Sequence, residues 1–407
     1  MSDKKQRRVL LVTQYFYPEN FVINDLAFEL AKKGYKVDAL VSVPNYPEGE
    51  YFKGYGLFRK RFETIKGVRV YRAFQIPRGK KGGNIRLSLT YISYMVSATL
   101  WSLFLSLFKT YDSIIVFQMS PITQAVPAIV LGCLRKIPVY TWVLDIWPDS
   151  ATSTLSGKLK TFVNNPLSRI TEFVYKHSHK ILISSKGMAD LVSRKHDFSA
   201  KIQYMPNWAK DFSVKEKSSL PSLPEGFKIM MAGNLGEGIG VEDVIACVEA
   251  LSDLKDLHFI FLGGGSKQQY LKEYFQHNEN VHVLGRYPAE AMPSFFSQAD
   301  AMFLSLQKTE YEFLEVTVPA RLQAYMSASK PVFAMIGSGA TEIIKEADCG
   351  FAVPSGDSKA LADVIRKFYQ DEELLLLKGM NGRSYYEKEF TLDQGIKRFE
   401  KLIEETI

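Results

Sequence analysis

The 407-residue chain is 46% apolar and 23% charged, with 51 Lys plus Arg against 44 Asp plus Glu and a net charge of +7. That composition excludes a disordered tail protein, a collagen-like repeat and a disulfide-stapled secreted module, and at ~100 to 200 residues per domain the length implies two domains. The three Cys (133, 247 and 349) stand far apart with no CxxC or His neighbours, so neither a disulfide framework nor a zinc site is expected and the chain reads as reduced and cytoplasmic.

The start MSDKKQRR runs into the short apolar segment Val9 to Val12, too brief for an export signal. From there, apolar and β-branched runs alternate with helix-period segments. The first series is Val9 to Tyr15, Val37 to Val43, Val68 to Phe74, Ile114 to Phe117, Val139 to Leu144 and Ile181 to Ser184. Such alternation predicts βαβ units and a parallel sheet over residues 1–205. Residues 206–227 carry three Pro and a mixed charge run and read as a linker. A second series follows over 228–385: Ile229 to Ala232, Phe259 to Leu262, Val281 to Leu284, Ala301 to Leu306, Val332 to Ile336 and Phe351 to Val353. Residues 386–407 read as a C-terminal helix. The expected fold class is therefore α/β, with two doubly wound Rossmann-like domains and ligands at the carboxyl ends of the strands, in a cleft between the domains.

The charge is unevenly spread. Residues 1–205 hold 30 basic and 14 acidic side chains, a net +16, and the remainder 21 and 30, a net −9. Arg59, Lys60 and Arg61, with Arg78, Lys80 and Lys81, form a basic patch suited to phosphates. Just downstream, Leu87 to Phe108 is a run of 22 residues without a charge, long enough to cross a hydrocarbon core. Five Ser and two Thr interrupt it. A spanning helix, a buried helix and a helix exposed at a membrane surface all fit; with the basic patch and Trp101, the surface-associated reading is preferred.

The motifs follow the second-series strands. Gly233-Asn234-Leu235-Gly236 lets backbone approach a ligand, and the helix after it offers N–H groups to a phosphate. Thr317 is placed as the N-cap of a helix with Pro319 in its first turn; Arg321 adds a charge suited to a diphosphate, and Gln323 could bond hydroxyls. Asp145 and Asp149 follow a strand, as acceptor-side base or positioning groups, or, for Asp149, as a cap. The six His lie in none of these motifs, and no Asp-x-Asp occurs, so no bound metal is expected.

Together the segments Gln14 to Asn20, Pro44 to Gly49, Asp145-Ile146-Trp147-Pro148-Asp149, Pro206-Asn207-Trp208, Gly233 to Gly236 and Pro319 to Met326 resemble a bacterial family 4 glycosyltransferase of GT-B architecture. The branch resembled builds O-antigen, capsule and other exopolysaccharides and includes the N-acetylfucosaminyl transferases. The resemblance implies a UDP-sugar donor with no cofactor, and a polyprenyl-diphosphate glycan as acceptor. It also implies retention of configuration and a cytoplasmic protein held peripherally on the inner face of the plasma membrane; the sequence shows no reading module or aromatic-basic platform, so no nucleic-acid partner is expected. Glu315 and Gln323 stand at the family's Glu-x7-Glu positions, facing sugar and ribose. The usual Arg and Lys after the glycine turn are Asn234 and Ile239 here, which leaves Arg321 as the cation for the leaving group. Glu315, Arg321, Asp145 and Asp149 are the catalytic candidates; Gly233, Asn234, Gly236, Thr317, Gln323 and Arg286 bind the donor; Tyr15, Glu19, Asn20, Asn45 and Tyr46 lie on the acceptor side. A sugar-nucleotide epimerase of the same architecture and a non-catalytic nucleotide-binding scaffold are the alternatives.

Overall fold

The computed structural model describes residues 6–80, 83–153, 155–213, 221 and 223–405. The chain divides into two compact units, one running through Pro206 and rejoined by the segment from Gly395, the other Asn207–Gln394.

Unit 1 contains, in chain order, β1 (Arg8–Val12), α1 (Val22–Lys32), β2 (Lys36–Ser42), β3 (Phe62–Ile65), β4 (Val68–Ala73), α2 (Asn84–Phe108), β5 (Ser113–Gln118), α3 (Val126–Arg135), β6 (Val139–Val143), α4 (Asp149–Thr152), α5 (Gly157–His177), β7 (Lys180–Ile183), α6 (Met188–Ser193) and β8 (Ile202–Tyr204). The strands form one sheet in the order β3-β4-β2-β1-β5-β6-β7-β8, parallel except for β3 on β4. Central strands β1, β5 and β6 are almost wholly buried, which is why they read as unbroken apolar runs. The edge strand β3 is half exposed and carries no such run, so sequence reading passes over it.

Unit 2 contains β9 (Phe227–Ala232), α7 (Val241–Glu249), β10 (Leu257–Leu262), α8 (Gln268–Tyr274), β11 (Val281–Gly285), α9 (Met292–Gln298), β12 (Ala301–Ser305), α10 (Glu312–Glu315), α11 (Ala320–Ser327), β13 (Val332–Met335), α12 (Ser338–Glu346), β14 (Gly350–Val353), α13 (Ser358–Phe368), α14 (Glu372–Glu389) and the start of α15 (Leu392–Glu404). Its six strands are parallel in the order β11-β10-β9-β12-β13-β14. Successive residues of β9 alternate between two cores. Ile229 and Met231 pack with Phe259 and Phe303, whereas Met230 and Ala232 pack with Ile260 and Leu304, the two-sided burial of a doubly wound sheet. Both units are Rossmann-like.

Two boundaries differ from the sequence reading. The expected C-terminal helix over 386–407 is the end of α14 followed by a separate helix, α15. The latter belongs to unit 1 from Gly395, with Phe399 against Trp142 at 5.2 Å and the Tyr140 hydroxyl donating to Leu402 O at 2.7 Å. The start of the expected linker is also packed structure: Arg383 holds both carboxylate oxygens of Asp211, and the Phe212 ring lies 5.4 Å from Phe296.

Helix α2 has an inverted distribution of polarity. Its buried face is Thr90, Tyr94, Ala98, Ser102, Leu105 and Ser106. The Tyr94 hydroxyl lies 2.9 Å from Thr13 O and 3.2 Å from Leu40 O, and Ser93 Oγ accepts from Ile76 N–H. Ile85, Leu89, Ile92, Val96, Leu100, Phe104, Leu107 and Phe108 form an exposed apolar stripe, with Asn84, Arg86 and Ser88 also exposed at its N-terminal end. At 1.5 Å per residue that stripe runs ~35 Å. The Ser and Thr that interrupt the run therefore point inward or bond to their own helix. The helix is long and apolar enough to cross a bilayer, yet one side of it is an integral wall of unit 1.

Candidate functional site

In unit 2, strand β9 leads to β10 on one side, and β12, paired on its other side, leads to β13 in the opposite direction. The carboxyl ends of β9 and β12 form the topological switch point where open α/β sheets bind ligands. Arg321, on the first turn of α11, enters this point. Its Cδ would lie 3.0 Å from a Cβ at residue 233, whose φ is +127°, so only glycine there lets the side chain through. Nη2 donates to Ser305 O at 3.4 Å, and Nη1 is buried without a partner. One turn on, the Tyr325 hydroxyl accepts from Ala232 N–H at 3.0 Å and lies 3.2 Å from Ala232 O, pinning the end of β9. Burial pushes the Tyr325 phenol up, and the neighbouring Arg321 opposes that shift.

A pocket of about 300 Å³ opens beside this point, lined by Gly233, Asn234, Gly263, Gly264, Arg286 and Tyr287 among others. A Cβ at 263 would stand 1.7 Å from Gly233 O, and one at 264 would meet Arg286 Nε at 2.7 Å. The glycines thus bring two loops into backbone contact and let Arg286 lie across them. Lys267, which the sequence reading did not single out, joins the glycine-rich region through a 3.1 Å ion pair with Glu237. Gly236 is buried in the turn.

A second pocket of about 490 Å³ is lined by Glu315, Thr317, Pro319, Gln307, Lys308 and Gly337 among others. Glu315 closes α10, and its Oε2 would be 2.5 Å from a Cβ at 337. Thr317 is not the N-cap expected of it. Its hydroxyl donates to Phe313 O at 2.8 Å, closing the turn after α10, and α11 begins only after Pro319, which is extended at φ −71°, ψ 136°. Gln323 is 3% exposed; its Nε2 donates to Asn207 O at 3.0 Å, while its Oε1 is buried without a partner. A glutamate there would have no N–H to give that carbonyl.

In unit 1 the carboxyl ends of the strands carry a polar surface only partly foreseen. Gln14 Oε1, Asn45 Oδ1, Gln75 Nε2 and Gln118 Oε1 are buried without partners; an unpaired buried polar atom costs ~1 to 3 kcal/mol and calls for a ligand or water. Tyr15, Phe21 and Tyr46 pack ring against ring at 5.1 to 5.6 Å, and the Arg78 guanidinium lies 5.5 Å from the Tyr46 centroid. Arg78 also approaches the Tyr91 hydroxyl at 3.5 Å. Arg78, expected to contact membrane, therefore belongs to this cluster. Asn20 is exposed at its edge.

Glu19 is the structural tie of this surface. It is 3% exposed and accepts backbone N–H groups of Asn45 at 2.8 Å, Tyr46 at 2.7 Å and Phe16 at 3.3 Å. Burial pushes its carboxyl up to about 7, against the lowering effect of those three donors. Asp145 Oδ2 accepts from Ser120 N–H at 2.8 Å and Ser120 Oγ–H at 2.7 Å, and Trp147 Nε1 donates to the same Ser120 Oγ at 3.1 Å. Asp149 has other surroundings, opening α4 beside Tyr175. Asp145 and Asp149 thus have different neighbours.

Of the expected membrane-contact residues, Arg59 and Lys60 are exposed. Trp101 joins Phe62 at 5.2 Å and Phe104 at 5.6 Å, beside the apolar stripe of α2. Lys80 pairs with Glu50 at 3.1 Å on the surface. Arg61 is partly buried, its guanidinium donating to Arg72 O on β4 and to Leu57 O. Lys81 lies outside the described residues.

Residues 214–384 match the family model described as glycosyl transferases group 1. The matched segment lies within unit 2. Over 192 residues the chain is 24% identical to the amylovoran biosynthesis glycosyltransferase AmsK of Erwinia amylovora, covering 45% of this chain and 46% of that protein. The chain thus spans about half the length of the curated relative it matches. Among solved structures, sucrose-phosphate synthase from Thermosynechococcus elongatus superposes with a TM-score of 0.70 at 14% identity over 98% of this chain and 99% of that one. Anabaena HepE in complex with UDP gives 0.64 at 13% identity over 98% and 100%. The pair of Rossmann-like units is the GT-B fold.

Proposed function

We propose that this chain is a metal-independent glycosyltransferase of family 4 that moves a sugar, an N-acetylated deoxyhexosamine or related hexose, from a UDP-sugar to a polyprenyl-diphosphate-linked glycan. The product serves a bacterial surface polysaccharide, and the configuration of the sugar is retained. The observation that carries this reading is Arg321, whose buried Nη1 has no protein partner at the switch point of the group 1 domain. A buried guanidinium is costly unless an anion meets it, and the leaving group of a sugar nucleotide is one.

As the bond from sugar C1 to the diphosphate oxygen breaks, negative charge grows on that oxygen. Arg321 and Arg286, with backbone N–H groups of the glycine loops, stabilise it. Glu315 faces the sugar. In unit 1 the unpartnered atoms Gln14 Oε1, Asn45 Oδ1 and Gln75 Nε2 receive acceptor hydroxyls, Arg78 receives a phosphate oxygen, and Asp145 positions or deprotonates the attacking hydroxyl. The named relative in amylovoran biosynthesis and the UDP-bound structural neighbour support the donor class and the pathway type.

The apolar stripe of α2, with Phe62 against Trp101 and the exposed Phe58, Arg59 and Lys60, is proposed to rest in the lipid interface, placing the protein peripherally on the inner face of the plasma membrane. The test is a mass-shift assay of purified protein with a synthetic polyprenyl-diphosphate N-acetylhexosamine and a panel of UDP- and GDP-sugars. One donor is expected to extend the acceptor. Nucleotide binding without transfer from any donor would favour the scaffold reading, and interconversion of a UDP-sugar without acceptor would favour the epimerase.

A further inference from the structure

We infer that a separate pocket in unit 1, between α5, α6 and the Trp147-Pro148-Asp149 turn, binds one uncharged saccharide ring. The pocket holds about 180 Å³, well under the ~300 to 1,000 Å³ of sites for drug-sized ligands yet several times the ~30 Å³ share of one water. Tyr175 from α5 lines it with the hydroxyl buried and without a partner, the residue being 3% exposed. A buried phenol left unpaired costs stability, and the empty volume beside it is where a partner fits.

The lining fits a sugar in shape and polarity. Trp147 and Phe198 supply apolar walls, Phe198 standing edge-on to Tyr175 with centroids 6.0 Å apart. Asp149 and Asn164 offer hydrogen-bonding groups in the lining, and Asn164 is within 3.5 Å of Thr152 Oγ1. An apolar face against aromatic rings with hydroxyls to surrounding polar groups is how a pyranose presents itself. The charges of the lining balance: Arg194 and Lys195 stand against Asp149 and Glu172, with Lys195 Nζ donating to Ser168 Oγ at 2.9 Å and His196 paired with Glu172 at 3.0 Å. That balance disfavours a phosphate or carboxylate ligand.

The pocket also has a physical link to Asp145. Trp147, one of its walls, donates through its indole N–H to Ser120 Oγ, and Ser120 donates to the Asp145 carboxylate. A ring seated on Trp147 steadies that chain. The inference rests on the transferase reading only for the source of the sugar, a residue of the acceptor glycan rather than a free saccharide.

The experiment is ligand-observed NMR and calorimetric titration of the full chain with methyl glucoside, methyl galactoside and methyl N-acetylglucosaminide, with UDP saturating. Comparison is with Tyr175→Phe and Asn164→Ala. At least one glycoside is expected to bind despite UDP, about five-fold more weakly in Tyr175→Phe, the loss of about one net hydrogen bond. Tyr175→Phe should melt no lower than wild type, since its hydroxyl has no partner to lose. In transfer assays, the variant should raise KM for a two-sugar acceptor while leaving KM for a one-sugar acceptor unchanged; no change in either KM assigns the pocket to free saccharide, and an equal rise in both shows an effect independent of the second sugar, each overturning the acceptor source. Absence of glycoside binding, or binding equal in wild type and both variants, overturns the site. Glycoside binding without transfer from any donor would instead defeat the transferase reading and leave the site standing.

Discussion

Arg321 lies across Gly233, its Cδ 3.0 Å from where a Cβ would stand, with Nη1 buried and unpartnered beyond. Removing the guanidinium removes the cation nearest the end of β9. Arg321→Ala is expected to lower turnover by at least ~100-fold, as deletion of an oxyanion-type donor does. Arg321→Lys should restore little, because an ammonium cannot reach both Ser305 O and the leaving group. Steady-state kinetics of both variants checks this; near-normal turnover in Arg321→Ala would refute the assignment.

Gln323 and Asn207 make the second prediction. Substituting Gln323→Glu, the residue type the resembled family carries there, sets a carboxylate against Asn207 O in place of an N–H donor. The expected cost is about 1 to 3 kcal/mol, read by urea unfolding. A variant as stable as wild type would show that the amide bond carries no weight.

Glu19 predicts a pH effect. Its carboxyl titrates at about 7 in the folded chain against an ordinary value of 4.5. Between those values the folded state keeps a proton that the unfolded chain has released. Stability therefore falls as pH rises through that window and is level above it, the total being about 3 kcal/mol. Glu19→Gln keeps an acceptor for Asn45 and Tyr46 but cannot ionise, so its unfolding free energy should lose this component. Parallel slopes for wild type and Glu19→Gln between pH 5 and 7 (~2 units, within the shift that sets the window) would count against it.

The two faces of α2 predict opposite responses. Leu100→Glu and Leu107→Glu, on positions 64% and 71% exposed, should leave stability within ~0.5 kcal/mol. Their sedimentation with phosphatidylglycerol and phosphatidylethanolamine vesicles should fall sharply. Tyr94→Phe, on the buried face, should cost about 1 kcal/mol by stripping its hydrogen bond to strand-end carbonyls, with no change in vesicle binding. Equal vesicle binding by the Leu variants and wild type would exclude the stripe as the lipid contact.

The sheets were legible in the sequence because strands buried on both faces must be continuously apolar. Ile114 to Phe117 and Phe259 to Leu262 show this plainly, and the Gly and Pro breaks between such runs marked where loops would meet ligands. The edge strand Phe62–Ile65 was not legible, since a half-exposed strand has no such signature. Motif spacing put Arg321 and the Gly233 turn in one place, and the tertiary structure agrees. It could not show that the Thr317 hydroxyl closes the turn before the helix, or that Gln323 turns to Asn207, because both depend on where Pro319 and residue 207 lie in space. The composition of Leu87 to Phe108 left three readings open, because counting Ser and Thr does not say which way they point. Only the folded sheet decided that: backbone carbonyls and N–H groups at the strand ends needed hydroxyl partners, drew Ser93, Tyr94 and Ser97 inward, and left the apolar side chains of the same helix facing out.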